Sequence, residues 1–248
     1  MKMKWSWEVK LGIGLVVLSL SIYTTKYVLL GDANNTYQYV FNSLGFLPIN
    51  VLLVTLIINQ LLAIRAKRER LNKLNMVIGS FYSEVGTSLL SIFSDHDPGM
   101  DRMRGAFLVQ KTWSKEDFDR VTQEMKDHLF HVDILSLDLP QMKTILAHHR
   151  NFFLRLLENP VLLEHGPFTE TLQAAFHFAE ELSMRPQLQD LPAPDLEHLR
   201  GDVERVYRLI ALEWIAYMKY LQQNYPYLFS LALRTNPFDQ SASVVIRS

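Results

Sequence analysis

Glu124, His128 and His131 stand at positions i, i+4 and i+7. On a helix that spacing stacks side chains along one face. One carboxylate with two imidazoles is a ligand set for a divalent metal. All eight histidines lie beyond residue 94, so metal binding is the first chemistry to weigh. His177 with Glu180 and Glu181 forms a second group of the same type. Ferritin-like di-metal bundles, however, carry Glu-x-x-His on two helices. Here no histidine has Glu three residues before it, and Asp195 with His198 is the nearest approach. The His-Glu-x-x-His pattern of zinc hydrolases is also absent. The histidines are therefore expected to pair with local carboxylates, with no metal or other cofactor. On that expectation His128→Ala changes stability by no more than about 0.5 kcal/mol, as at ordinary surface positions.

No catalytic residue is expected either. There is no Gly-x-Ser-x-Gly elbow, no phosphate-binding Gly-x4-Gly-Lys loop and no kinase motif set. The chain has no cysteine, which excludes disulfides, thiolate nucleophiles and Cys-ligated zinc.

The elements that must position any site begin with two apolar runs, residues 11–30 and 44–64. A helix of about 20 residues rises ~1.5 Å per residue, enough to cross a ~30 Å hydrocarbon layer. The first run ends in Tyr-Val-Leu-Leu without a small-residue cleavage site, so it reads as a retained anchor rather than a signal peptide. Arg65, Lys67, Arg68, Arg70 and Lys73 follow the second run, and Lys2, Lys4 and Lys10 flank the first. The connecting segment, 31–43, carries only Asp32. Basic flanks stay in the cytoplasm, so both termini are expected inside a cytoplasmic (inner or plasma) membrane. Trp5 and Trp7 at one boundary, with Tyr23, Tyr27, Tyr37 and Tyr39 near the other, suit interfacial aromatic belts. The five-residue basic cluster also suits anionic headgroups, at ~1 kcal/mol per charge near the surface.

Within the second run, Thr55 and Asn59 are four residues apart and share a helix face. Lipid offers such groups nothing, so this face is expected to meet protein, through interhelical hydrogen bonds or as a pore lining. A potassium-type filter is excluded, since Thr-Val-Gly-Tyr-Gly is absent.

The net charge of −1 hides a division. Residues 1–94 hold nine Lys/Arg against four Asp/Glu, and the remainder hold 16 against 22. An acidic soluble body argues against nucleic acid as partner.

Beyond the membrane the periodicity is helical throughout. Leu71, Leu74, Ile78, Val85 and Leu89 draw an apolar stripe with no proline from 65 to 94. The spacing predicts that the second span continues as one rod to about residue 94, where Asp95-His96-Asp97-Pro98-Gly99 stops it. Such a rod is able to pass rotation or tilt between compartments. Further helices are predicted over 114–132, 140–158, 167–184 and 195–224, with 227–234 continuing past Pro226. The last of these carry Tyr207, Trp214, Tyr217, Tyr220, Tyr225, Tyr227 and Phe229, mostly core, with part available as an interface.

The reading is an all-α chain. A two-helix transmembrane hairpin, N-in and C-in, has a second helix that continues into a cytosolic helical bundle. Its divisions are a membrane anchor over 1–66, a helical extension over 67–94 and a cytosolic domain over 95–248. The expected function is that of a homo-oligomeric membrane protein whose cytosolic domain binds, senses or scaffolds. Its expected partners are anionic lipids, copies of itself, and a cytosolic protein or small ligand. A pore or channel subunit gated by that domain is the first alternative, and a membrane-tethered metal-dependent enzyme the second.

Overall fold

The computed structural model describes residues 7–30, 33–162 and 166–245. Lys2, Lys4, Trp5, Asp32 and His165 lie outside the described residues, as do the side chains of Trp7 and Lys10. The protein is all-α. Its elements are α1 (Trp7–Leu30), α2 (Ala33–Phe81), a π-turn (Tyr82–Gly86), α3 (Thr87–Asp95), α4 (Met100–Phe107), α5 (Lys115–Asp127), α6 (Leu139–Leu157), α7 (Gly166–Met184), α8 (Ala193–Asn224) and α9 (Pro226–Arg234). The chain divides into two units, Met1–Lys67 and Arg68–Ser248.

In the first unit most of the described apolar side chains of α1 and α2 between Ile13 and Ile64 are exposed. Among the described residues one helical stretch, Asn34–Asp95, is long and apolar enough to cross a membrane. The most apolar part of it has a mean hydropathy of 2.1 and none of it is buried. Ile13–Leu29 is a shorter apolar helix. Lys26 Nζ donates to Asn35 Oδ1 at 3.3 Å and lies 4.4 Å above the Tyr39 ring. The segment expected to be a loop over 31–43 is instead helical from Ala33. Residues 33–43 contain neither Pro nor Gly, so nothing in them breaks a helix. Pro48 lies inside α2.

In the second unit α8 is the central element, packed by α3, α5, α7 and α9, with α6 on the far side of α7. Its buried residues run Leu199, Asp202, Val203, Val206, Tyr207, Ile210, Ala211, Trp214, Ile215, Met218, Leu221. That three-and-four spacing puts a continuous stripe on one face, and Asp202 is the only carboxylate in it.

The rod predicted to reach residue 94 is helical to Asp95, but not as a uniform α-helix. At the π-turn the Thr87 N–H reaches back five residues to the Tyr82 carbonyl. The turn makes room for rings. A Cβ on Gly86 would lie 2.5 Å from Phe81 Cε1 and 2.8 Å from Tyr82 Cδ1. Tyr82, 3% exposed, stacks on Tyr217 and donates its hydroxyl to the Ile210 carbonyl at 2.7 Å. The apolar stripe of the rod is covered by its own chain: Leu74, Ile78, Val85 and Leu89 are core residues, and Leu71 stays exposed.

The stretch after Gly99, where the periodicity predicts no element, forms α4, and α5 ends at Asp127 rather than near Val132 as its spacing predicts. Ser114 starts α5 as expected, in a reciprocal capping box with Asp117. At the other end His128 leaves helical geometry (φ −69°, ψ 131°) because its ring is engaged elsewhere. The C-terminal segment adds a contact that periodicity does not reveal. Asn236 and Phe238 are buried, and Arg104 donates to the Phe238 carbonyl at 3.1 Å.

Candidate functional site

The helical unit carries a groove of about 710 Å³. One wall comes from α2, the π-turn and α3, through Asn75, Met76, Gly79, Ser83 and Thr87. The floor is Tyr82, Trp214 and Tyr217, and the opposite wall is Tyr220, Tyr225, Tyr227, Leu228, Leu231 and Ala232. The local sequence builds this shape directly. Pro226 breaks α8 from α9, so Tyr225 leaves helical geometry (φ −140°, ψ 71°) and α9 follows as a separate helix. Gly79 lets α2 approach α8 closely, since a Cβ there would lie 2.6 Å from the Tyr217 hydroxyl. Asn72 Oδ1 accepts from the Tyr220 hydroxyl at 3.2 Å.

The groove is apolar with sparse polar groups, the usual character of a small-molecule site, and its volume lies in the ~300–1,000 Å³ range of such sites. Trp214 is 2% exposed, and its indole N–H finds no acceptor among the described residues. Buried donors are almost always satisfied, so this one is available to a bound acceptor. Met76, Tyr227, Leu231 and Val244 leave apolar surface exposed around the mouth.

Next to Trp214 on α8, burial pushes the Glu213 carboxyl up to about 7. The folded state therefore holds this proton more tightly than the unfolded chain. Its stabilising contribution is complete below the ordinary carboxylate value of 4.5 and is lost as pH rises through about 7. Glu213→Gln should flatten the fall in stability across that window and raise stability at pH 8 by about 3 kcal/mol. Thermal melts of both proteins across the window check this; parallel curves would exclude Glu213 as the titrating group.

The residues nominated from sequence fall in different places. Glu124 pairs with Arg120 at 2.9 Å, on the surface of α5. His128 Nε2 lies 3.3 Å from Oδ2 of Asp97, whose side chain is fully buried. The His128 ring meets Phe107 and Phe130 edge-on. His131, beyond the end of α5, has Nδ1 2.8 Å from Glu204 Oε1. Each of the three thus has its own partner, and the shared helix face on which they were grouped stops at Asp127. Glu180, nominated with His177, pairs with Arg150 at 2.9 Å. Thr55 and Asn59 are exposed on α2 within an apolar surface, and Arg65, Lys67, Arg68, Arg70 and Lys73 are exposed further along the same helix. Of the groove, sequence reasoning identified the aromatic residues of α8 and α9. It missed the facing wall, whose signal was Gly79 inside an otherwise regular helix.

Two family models match the chain. Residues 70–234 match the C-terminal helical domain of uncharacterized protein MJ1433, and residues 2–62 match the N-terminal helical domain of MJ1433. The uncharacterized protein MJ1433 of Methanocaldococcus jannaschii is 40% identical over 235 residues, covering 95% of this chain and 94% of that protein. No solved structure matches.

Proposed function

The chain belongs to the MJ1433 family, and from that premise we propose that it is a homo-oligomeric integral membrane protein whose cytosolic helical domain is a ligand-binding module. The groove carries the reading: an apolar, aromatic concavity with an unpaired indole N–H suits a small apolar or aromatic ligand bearing one hydrogen-bond acceptor. The apolar surface of α1 and α2 supports a two-span hairpin, and the basic residues at 65–73 support a cytoplasmic exit and contact with anionic lipid. Thr55 and Asn59 supply polar groups for association between copies within the bilayer.

Two readouts test the proposal. The chain has no cysteine, so single reporters are clean. An impermeant thiol reagent on intact cells should label Asn35→Cys and spare Ser241→Cys; labelling of Ser241→Cys would place the helical domain outside. In nanodiscs, saturation-transfer NMR with acetophenone as probe, an aromatic ring with one carbonyl acceptor, should show transfer to the wild type and its loss in Ala232→Trp, which fills the groove. Undiminished transfer in that variant would put the ligand site elsewhere.

The second reading, a pore subunit, draws on the same Thr55 and Asn59. Unitary currents in planar bilayers that change in Asn59→Leu would favour it over the binding module.

A further inference from the structure

Helices α7 and α8 each carry a histidine followed four residues later by a carboxylate, His177 with Glu181 and His198 with Asp202. The i, i+4 spacing puts both members of each pair on one face. The packing of α7 on α8 brings the two pairs together. Asp202 is 3% exposed, set among the apolar residues of the α8 stripe, and its Oδ2 is buried without a hydrogen bond among the described residues. A buried carboxylate oxygen in that condition needs a positive partner. Arg205 lies 3.6 Å from the other carboxylate oxygen, Oδ1, while what faces Oδ2 is His177 Nε2 at 3.6 Å and His198 Nε2 at 3.5 Å. These three donor atoms all lie within 4.8 Å of one another.

We propose that His177, His198 and Asp202 form a binding site for a divalent first-row transition metal, of the zinc or iron(II) class. Two imidazole nitrogens and one carboxylate oxygen are the donor set of such ions. With metal–ligand distances of ~2.0–2.1 Å and tetrahedral angles, donors sit ~3.3–3.4 Å apart, close to the 3.5 and 3.6 Å measured from Asp202 Oδ2. Calcium and magnesium do not fit, because they prefer all-oxygen shells. Glu181 flanks the two imidazoles outside that set of three and is suited to support a bound water. Its Oε1 is 3.8 Å from His177 Nε2 and its Oε2 3.7 Å from His198 Nε2. Arg185 holds that carboxylate in place through Oε2 at 2.7 Å, and also grips both oxygens of Asp195. The arrangement has outer supports as well as ligands, which metal sites require. Both histidine side chains are about half exposed, 48% and 53%, so an ion has an open approach.

The site differs from the Glu124, His128 and His131 group in every residue, and the experiment separates the two. Full-length protein in nanodiscs is stripped with chelator and titrated with Co²⁺ alone, then with Zn²⁺. Visible absorption reads the cobalt, and mass spectrometry the bound metal. One equivalent per chain should bind, with the absorption of a tetrahedral or five-coordinate cobalt centre. His177→Ala and His198→Ala should each weaken binding at least ~100-fold, beyond the loss seen for outer-shell changes, while His131→Ala leaves it unchanged. Both are half-exposed positions, and circular dichroism establishes that the variants fold; Asp202→Asn is the stringent third. Failure of the wild type to bind either ion overturns the proposal. Equal binding by His177→Ala and His198→Ala, or its loss in His131→Ala, overturns it too.

Discussion

His128→Ala should destabilise the helical domain by about 2–4 kcal/mol. The substitution removes the partner of Asp97 Oδ2, and the Asp97 side chain has no solvent access with which to replace it. Leaving a buried carboxyl oxygen without its hydrogen-bond partner is among the most damaging single changes. Asp97 cannot turn away, because its other oxygen accepts from the Gly99 amide at 2.8 Å, at the start of α4. The ring's edge-on contacts with Phe107 and Phe130 are lost as well, and a cavity is left between α4 and α5. Thermal unfolding by circular dichroism measures the effect, with His131→Ala as internal control. That side chain is 45% exposed and Glu204 keeps 25% of its own side chain open to solvent, so its loss should cost no more than about 1 kcal/mol. If the two variants melt together, the Asp97–His128 contact contributes nothing. A double variant with Asp97→Ala then separates the pair from the ring contacts: non-additivity isolates the hydrogen bond. The sequence alone puts His128→Ala within about 0.5 kcal/mol; the buried Asp97 carboxyl beneath that ring is what raises the expected effect.

Asn72→Pro should cost about 3 kcal/mol or more. Residue 72 is within α2, and a proline there removes the hydrogen bond to the carbonyl of Arg68 and clashes with it. Downstream, Leu74, Ile78 and Phe81 are core residues of the helical unit, and all three depend on the phase of this helix. The same change deletes the acceptor of the Tyr220 hydroxyl, at the wall of the groove. Limited proteolysis should show new cleavage near residue 72, and the melting temperature should fall. Asn72→Ala, which keeps the helix and loses only the side-chain bond, should cost about 1 kcal/mol. An Asn72→Pro protein as stable as wild type would mean that the last turns of α2 do not carry the core.

Much of the secondary structure is written in local chemistry. Ser114 and Asp117 announce the start of α5, Pro140 follows the Asp138 cap of α6, and Pro226 separates α8 from α9. These are decisions among neighbours in the chain, taken by hydrogen-bond donors and fixed φ angles, so a linear reading finds them. The exposed apolar lengths of the first unit and the basic cluster that follows are legible for the same reason.

Where elements meet is different, because it depends on crossing geometry and on residues far apart in sequence. Periodicity marks a face on α5 but not its end, which Asp97, 31 residues upstream, helps to set through His128. The stripe of Leu74, Ile78, Val85 and Leu89 demanded a cover; only the packed structure places that cover within the same chain, on α8 and its neighbours. Gly79 and Gly86 look like weak points in a helix until the rings of Tyr217, Phe81 and Tyr82 are seen filling the space a Cβ would take. In the linear order His177 groups with Glu180 and Glu181, and His198 with Asp195; nothing there joins the two histidines, 21 residues apart, to each other or to Asp202. They share a site because α7 folds back against α8 in a register that burial of the apolar stripe imposes, and that register carries Asp202 inward with it.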